Sequence, residues 1–276
     1  MFLSLRSSRV LQPFKLRSKS MSRRPGGYFN QGPFGKRFYQ SSAGQFYNNY
    51  RTGNAILWTV IGANVAVFGG WQYAQSQARG SMADILSGVL SPNSSKLAPL
   101  NFLNKNFLCS WSHVHSGKYW TLLTSAFSHQ NLGHLVGNMF SFYAFGTVLL
   151  SVGLTPASLV TLIGGYAIAG NIGFLYHQSA MAKYGRQGYG LGASGAVLGL
   201  GAAAALIRPF APMMLFGVLP IPLFALLGGY VYYDSYYLSD PRSVVGHSAH
   251  LAGAAFGAAA YLLSLRRFGG VLGRFR

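Results

Sequence analysis

Glutamate is absent from this 276-residue chain, and aspartate occurs three times, as Asp84, Asp234 and Asp240. Chemistry that needs paired carboxylates therefore has almost nothing to work with. A single cysteine, Cys109, excludes an internal disulfide and a multi-cysteine metal site. Charge of either sign is scarce, at 9% of residues against the roughly 25% usual in a soluble domain. Half of the residues are hydrophobic and the mean hydropathy is +0.27, which together indicate a membrane-embedded chain. The net charge of +19 would suit a nucleic-acid partner, but its placement argues against one. Ten of the 22 Lys and Arg fall in the first 51 residues, where there is no acid.

Residues 1–51 are rich in Arg, Lys, Ser and aromatics, the composition of a mitochondrial import sequence followed by a linker. A secretory signal would need a continuous apolar stretch, and a basic tail lying on a membrane surface is the alternative. Arg37-Phe38-Tyr39 is a short match to a matrix-peptidase cleavage context. Six apolar runs follow: Asn54–Tyr73, Leu132–Val152, Pro156–Tyr176, Gly190–Ile207, Pro212–Tyr232 and His247–Leu265. Each is near the ~20 residues a bilayer core requires of a helix. Between the first two, residues 74–130 are mixed, with Pro92, Pro99, Trp111, Trp120 and short apolar pieces such as Ala83–Leu90. The pattern predicts an all-α membrane protein, a bundle of six transmembrane helices with a long interfacial first loop. Counted on alternate sides, fifteen Lys and Arg fall with the termini and seven opposite. That excess puts both termini on the cytoplasm-like side, which in a mitochondrion is the matrix.

With this topology the second, fourth and sixth spans begin on the side opposite the termini, and each carries polar residues in its first turns. They are His134 and Asn138, Ser194, and His247 and His250. Polar and ionisable groups inside spans are costly and mark functional sites. His134 and Asn138, four apart, share a helix face. Ser194 sits among glycines in Gly190–Gly201, where its hydroxyl can be approached closely; below it Gly201 and Ala205 continue one stripe. His250, Ala254 and Gly257 line up likewise, with Gly253 at the edge. Small residues on both helices would bring the imidazole to the hydroxyl at the ~2.6–3.2 Å that a base-activated nucleophile needs. Taken singly, each of these residues reads first as helix packing or interhelical hydrogen bonding. Four at matched depth, on helices entering from one side, are harder to explain that way.

On these residues the chain resembles the rhomboid family of intramembrane serine proteases. Gly192-Ala193-Ser194-Gly195 matches the GxSG nucleophile motif, and His250 to Gly257 (HLAGAAFG) matches the HxxGxxxG base motif. His129 to Asn138 (HQNLGHLVGN) matches the second-span pattern whose last histidine and asparagine help form the oxyanion site. The resemblance covers about residues 54–265 and is nearest the mitochondrial, presenilin-associated branch, through the paired histidines of Gly246-His247-Ser248-Ala249-His250. The family's Trp-Arg pair in the first loop is Trp120-Thr121 here, and Leu198 stands where some relatives stack an aromatic on the base.

The resemblance implies a basic targeting segment and linker at 1–51, a six-span protease domain at 52–268 and a basic tail at 269–276. It implies Ser194 as nucleophile and His250 as base, a dyad without a third acid, with His134 and Asn138 stabilising the oxyanion. His247 and His129 are expected to orient neighbours or face the interface. The implied partners are membrane proteins with transmembrane segments and the lipid bilayer, in the mitochondrial inner membrane, with no nucleic acid, cofactor or metal; the oligomeric state is left open. Two other readings stand beside it: an inactive relative that binds transmembrane clients as a scaffold, and a haem protein with His134 and His250 as axial ligands. The run Tyr230–Asp240 (YVYYDSYYLSD) reads as an aromatic belt or as a mobile cap over the site.

Overall fold

The computed structural model describes residues 33–86, 95–182, 188–215, 218–240, 243 and 245–273. Residues 1–32 of the expected targeting segment lie outside them, as do Pro92 and, from the charge count, Lys183, Arg186, Arg242, Arg274 and Arg276. By its contacts the chain divides into Met1–Ser41 and Ser42–Arg276. The backbone of the first unit is helical from Pro33, within helix α1 (Pro33–Leu86). Everything below concerns the second.

The long first loop folds into short pieces: a 3-10 turn at Ser95–Leu97, α2 (Ala98–Phe107), α3 (Trp111–His115), α4 (Thr121–Thr124) and a second 3-10 turn at Ser125–Phe127. Helices α5 (Leu132–Ser151), α6 (Pro156–Ala182) and α7 (Ser194–Ile207) follow. A two-stranded antiparallel ribbon comes next, β1 (Pro212–Leu215) with β2 (Leu219–Pro222), then α8 (Leu223–Tyr237), α9 (His247–Leu263) and a 3-10 turn at Leu265–Phe268.

Two expectations are met in part. All six apolar runs meet a helix, but among the described residues two helices are long and apolar enough to cross a membrane, at Ala43–Arg79 and Pro156–Met181. The 14-residue α7 would reach about 21 Å, against a hydrocarbon core of about 30 Å. The molecule is mostly helical, as expected, but the first half of the run Pro212–Tyr232 is the β-ribbon. Pro220 and Pro222 explain why: a proline inside a helix loses a backbone donor and clashes with the preceding turn. Helix therefore starts only after Pro222, its N-cap residue, and continues to Tyr237, five residues past the expected end.

Helix α7 is the centre of the bundle, with 11 of its 14 residues buried. Alanine and glycine make this possible, since several helices can approach a cylinder without bulk. A Cβ at Gly253 of α9 would run into the carbonyl oxygen of Gly195, and one at Gly257 into that of Gly199. A Cβ on Gly170 of α6 would lie 3.1 Å from both the Ala249 carbonyl oxygen and the Gly195 Cα. So α6, α7 and α9 meet backbone to backbone at the start of α7. The smooth stripe on α7 is thus Gly195 and Gly199, whereas Gly201 faces Phe145 and Leu227.

Candidate active site

The residues before Ser194 are held by the first loop. Gly190 exchanges two backbone hydrogen bonds with Cys109 (2.9 and 2.8 Å), and the Gly192 N–H donates to the Ser125 carbonyl at 3.0 Å. The loop is fastened in turn: Trp111 Nε1 donates to the Leu175 carbonyl (2.7 Å), and Asn171 Nδ2 to the Leu122 carbonyl (2.9 Å) and Ser125 Oγ (3.0 Å). At the Trp120-Thr121 departure, the buried Thr121 hydroxyl caps the Lys118 carbonyl at 2.8 Å. Trp120 Nε1 reaches Asn106 Oδ1 at 3.2 Å. The loop is therefore anchored without an arginine at 121. Gly192 has φ +116°, a region that favours glycine, and a Cβ there would lie 2.9 Å from the His134 ring.

This path delivers Ser194 as the first residue of α7, with its hydroxyl 2.7 Å from His250 Nε2. Sequence reasoning brought those two together and ended there, with the aspartates placed outside the apolar spans. The structure corrects this. Asp234 lies within α8, 2% exposed, and its carboxylate accepts from His250 Nδ1 at 3.0 Å to Oδ1 and 3.1 Å to Oδ2. The arrangement is a serine–histidine–aspartate chain in place of a dyad. A signal existed: a lone acid in an apolar run is costly and asks for a partner. The expected run ends at Tyr232, two residues short of it.

Asp234 Oδ1 also accepts from His247 Nδ1 at 2.6 Å, and His247 Nε2 meets Ser243 Oγ at 2.8 Å. The donor atoms of Asp234, His247 and His250 lie within 4.8 Å of one another. Two ligands of a tetrahedral zinc ion stand about 3.3 Å apart, given bonds of about 2.0–2.1 Å. The 2.6 Å separation is that of a charge-assisted hydrogen bond.

Ser194 and His250 open onto a cavity of about 830 Å³, whose wall also carries His134, Asn138, Gly192 and Tyr230. Asn131 caps α5, its side chain accepting the His134 N–H at 2.9 Å, and this sets His134 and Asn138 on the cavity face. A Cβ built on Gly192 would stand 3.4 Å from His134 Nε2 and 3.8 Å from Ser194 Oγ, so the two side chains flank the same spot. His134 Nδ1 and Asn138 Nδ2 are buried and have no hydrogen-bond partner among the described residues. All four residues expected from sequence therefore line one cavity.

His129 is not in that wall. It is buried behind His134, ring centroids 5.1 Å apart. Burial first and the neighbouring His134 second push its pKa down to about 4, against a hydrogen bond with the Phe127 backbone that raises it. Burial pushes the Cys109 thiol the other way, to about 12.

A helical bundle in which glycines bring a serine-bearing helix against a histidine-bearing one defines a class, and comparison with known families agrees. The family model of the rhomboid domain matches residues 116–267. That is more than half of the chain, and the chain belongs to the rhomboid family. It is 34% identical over 171 residues to "RHOMBOID-like protein 12, mitochondrial" of Arabidopsis thaliana, covering 58% of this chain and 51% of that protein. It is 31% identical over 167 residues to "Rhomboid protein 1, mitochondrial" of Saccharomyces cerevisiae, covering 60% and 40%. With "Presenilin-associated rhomboid-like protein, mitochondrial" of Homo sapiens it shares 25% identity over 224 residues, 79% of this chain and 51% of that protein. The aligned stretch spans about half the length of these relatives.

Proposed function

We propose that this protein is an intramembrane serine endopeptidase that cleaves transmembrane segments of membrane proteins, in the mitochondrial inner membrane. The observation that carries the reading is the 2.7 Å contact between Ser194 Oγ and His250 Nε2 in the wall of a cavity, backed by a buried carboxylate. The mitochondrial relatives and the basic, acid-free segment at 1–51 support the location.

In this reading an ionised Asp234 can only accept, so His250 presents Nδ1–H to it and keeps the Nε2 lone pair towards Ser194. Ser194 Oγ attacks the scissile carbonyl while its proton passes to His250 Nε2, and the same proton then goes to the leaving amine. Water repeats the sequence to release the acyl group. The tetrahedral oxyanion would be met by Asn138 Nδ2, His134 and the backbone N–H groups that open α7, which lack a helical acceptor. A substrate segment must lose helical structure to expose its carbonyl, and the cavity walled by α5 and α8 residues gives it room. The domain from 52 to 268 would hold all of this, with a targeting segment before it and a basic tail after it.

The test is labelling with a serine-directed fluorophosphonate in detergent. The native chain should react, and Ser194→Ala and His250→Ala should lose on the order of 10⁶ in rate, below detection. A folded native chain that stays unlabelled overturns the protease reading in favour of a scaffold for transmembrane clients. The haem alternative has nothing in its favour, since both ring nitrogens of His250 are already engaged.

A further inference from the structure

His247 and Ser243 belong to the cluster but have no part in the reaction as written. Their geometry relative to Asp234 gives them one. We propose that Ser243 and His247 are a positioning pair that fixes the Asp234 carboxylate on His250; the inference rests on the protease reading of the site.

The hydrogen-bond accounting around the acid is complete. Both imidazoles must donate from Nδ1, because an ionised carboxylate only accepts. A neutral imidazole protonated at Nδ1 has a free lone pair at Nε2, so each histidine then accepts a hydroxyl proton there. For His250 the donor is Ser194, and for His247 it is Ser243. The chain runs Ser243 to His247 to Asp234 from one side and Ser194 to His250 to Asp234 from the other, with no group left over.

The His247 arm is the tighter one. Its bond to Oδ1 is 2.6 Å, against 3.0 and 3.1 Å from His250 to the two oxygens. The terminal torsion of an aspartate is soft. Held by His250 alone, the carboxylate could turn about that torsion and carry the imidazole with it. Held at Oδ1 by His247, it presents both oxygens to His250 Nδ1, at 3.0 and 3.1 Å. His247 is itself enclosed: 3% exposed, packed against the neighbouring rings of Tyr233 and Tyr237 (centroids 5.7 and 6.1 Å), and edge-on to the His250 ring. Ser243 selects the tautomer by donating to Nε2. It lies in the segment joining α8 to α9, which borders the cavity at Ser243, Val245 and Gly246. The pair thus fastens the cavity rim to the acid.

The experiment measures kcat and KM in proteoliposomes on a fluorogenic transmembrane-segment peptide. His247→Leu removes the donor and is expected to lower kcat about 10²-fold, the cost of a small misplacement of the base, with KM within twofold. In His247→Asn the amide Nδ2 stands where Nδ1 was, and most of the loss should be recovered. Ser243→Ala should cost about tenfold, one hydrogen bond's worth, and Ser243→Thr should restore it. A His247→Leu chain within threefold of native overturns the proposal, as does equal loss in His247→Leu and His247→Asn. A second measurement needs no turnover: the downfield Nδ1 protons of ¹⁵N-histidine-labelled protein, recorded in a Ser194→Ala background. His247→Leu should delete one resonance and shift that of His250, and an unmoved His250 resonance overturns the proposal even if the fluorophosphonate has labelled the native chain. If the native chain hydrolyses nothing, the protease reading fails, and the resonance alone decides whether His247 orients Asp234.

Discussion

His247 and His250, at the start of α9, have all four ring nitrogens engaged by Asp234, Ser243 and Ser194. His134, in the first turn of α5, leaves Nδ1 buried without a partner among the described residues, and Asn138 Nδ2 one turn on is bare as well. A buried polar group left unpaired costs about 1–3 kcal/mol, so the second cluster is maintained at a loss the first does not carry. The comparison separates two kinds of readiness. The α9 pair is arranged for proton movement before any ligand arrives. His134 and Asn138 keep hydrogen-bonding capacity on the cavity side, where it would be satisfied by something that comes in. In the proposed reaction that is the carbonyl oxygen as it becomes an oxyanion.

The comparison can be broken at its saturated side first. Asp234→Asn offers His250 Nδ1 an amide that can present its N–H₂ as readily as its oxygen, so the base is no longer held in one tautomer. The expected fall in kcat is on the order of 10⁴, as for the same change in a serine–histidine–aspartate triad. Single-turnover cleavage measures it, and a loss under tenfold would show that the acid is no part of the working unit. On the unsaturated side, Asn138→Ala should lower kcat by about 10²–10³. The apparent Tm should hold or rise, because an unpaired buried amide is removed. A variant that loses Tm but keeps kcat would make Asn138 a packing residue, and the two clusters would no longer differ in purpose.

The smallest effect lies behind the α5 cluster. The folded chain holds His129 down to a pKa of about 4, while the unfolded chain titrates it near 6.5. Between those values the unfolded state binds more protons, so stability rises with pH. The contribution is present in full above about 6.5 and is lost as pH falls towards 4. Over the 2.5-unit difference it amounts to about 3 kcal/mol. Thermal unfolding in detergent from pH 7 to 4 should show the decline, and His129→Gln should flatten it. An unchanged slope would mean that burial does not hold the His129 imidazole neutral.

Much of this was legible because it depends on short-range spacing. His134 and Asn138 share a face by being four apart, and Ser194 and His250 stand on apolar runs broken by small residues; neither fact needs a third dimension. Which glycines touch was not legible to one residue. The stripe drawn through Gly201 and Ala205 differs by a fraction of a turn from the Gly195 and Gly199 contact, and only the approach of α9 chooses between them. The Pro212–Leu215 ribbon shows a different limit. Hydropathy reports that a run is apolar, but prolines at 220 and 222 decide that its first half is strand.

The amino-acid sequence by itself determined the class: an apolar chain almost without acids, with a hydroxyl, two imidazoles and an amide at the starts of three of its helical runs. Composition and helical period carry that information locally. The tertiary structure alone decided that Asp234 belongs to the site. Its partners are 13 and 16 residues away along the chain, on the next helix. A buried carboxylate finds its donors only once α8 and α9 are packed side by side, because the pairing energy comes from excluding water that the separate segments cannot exclude.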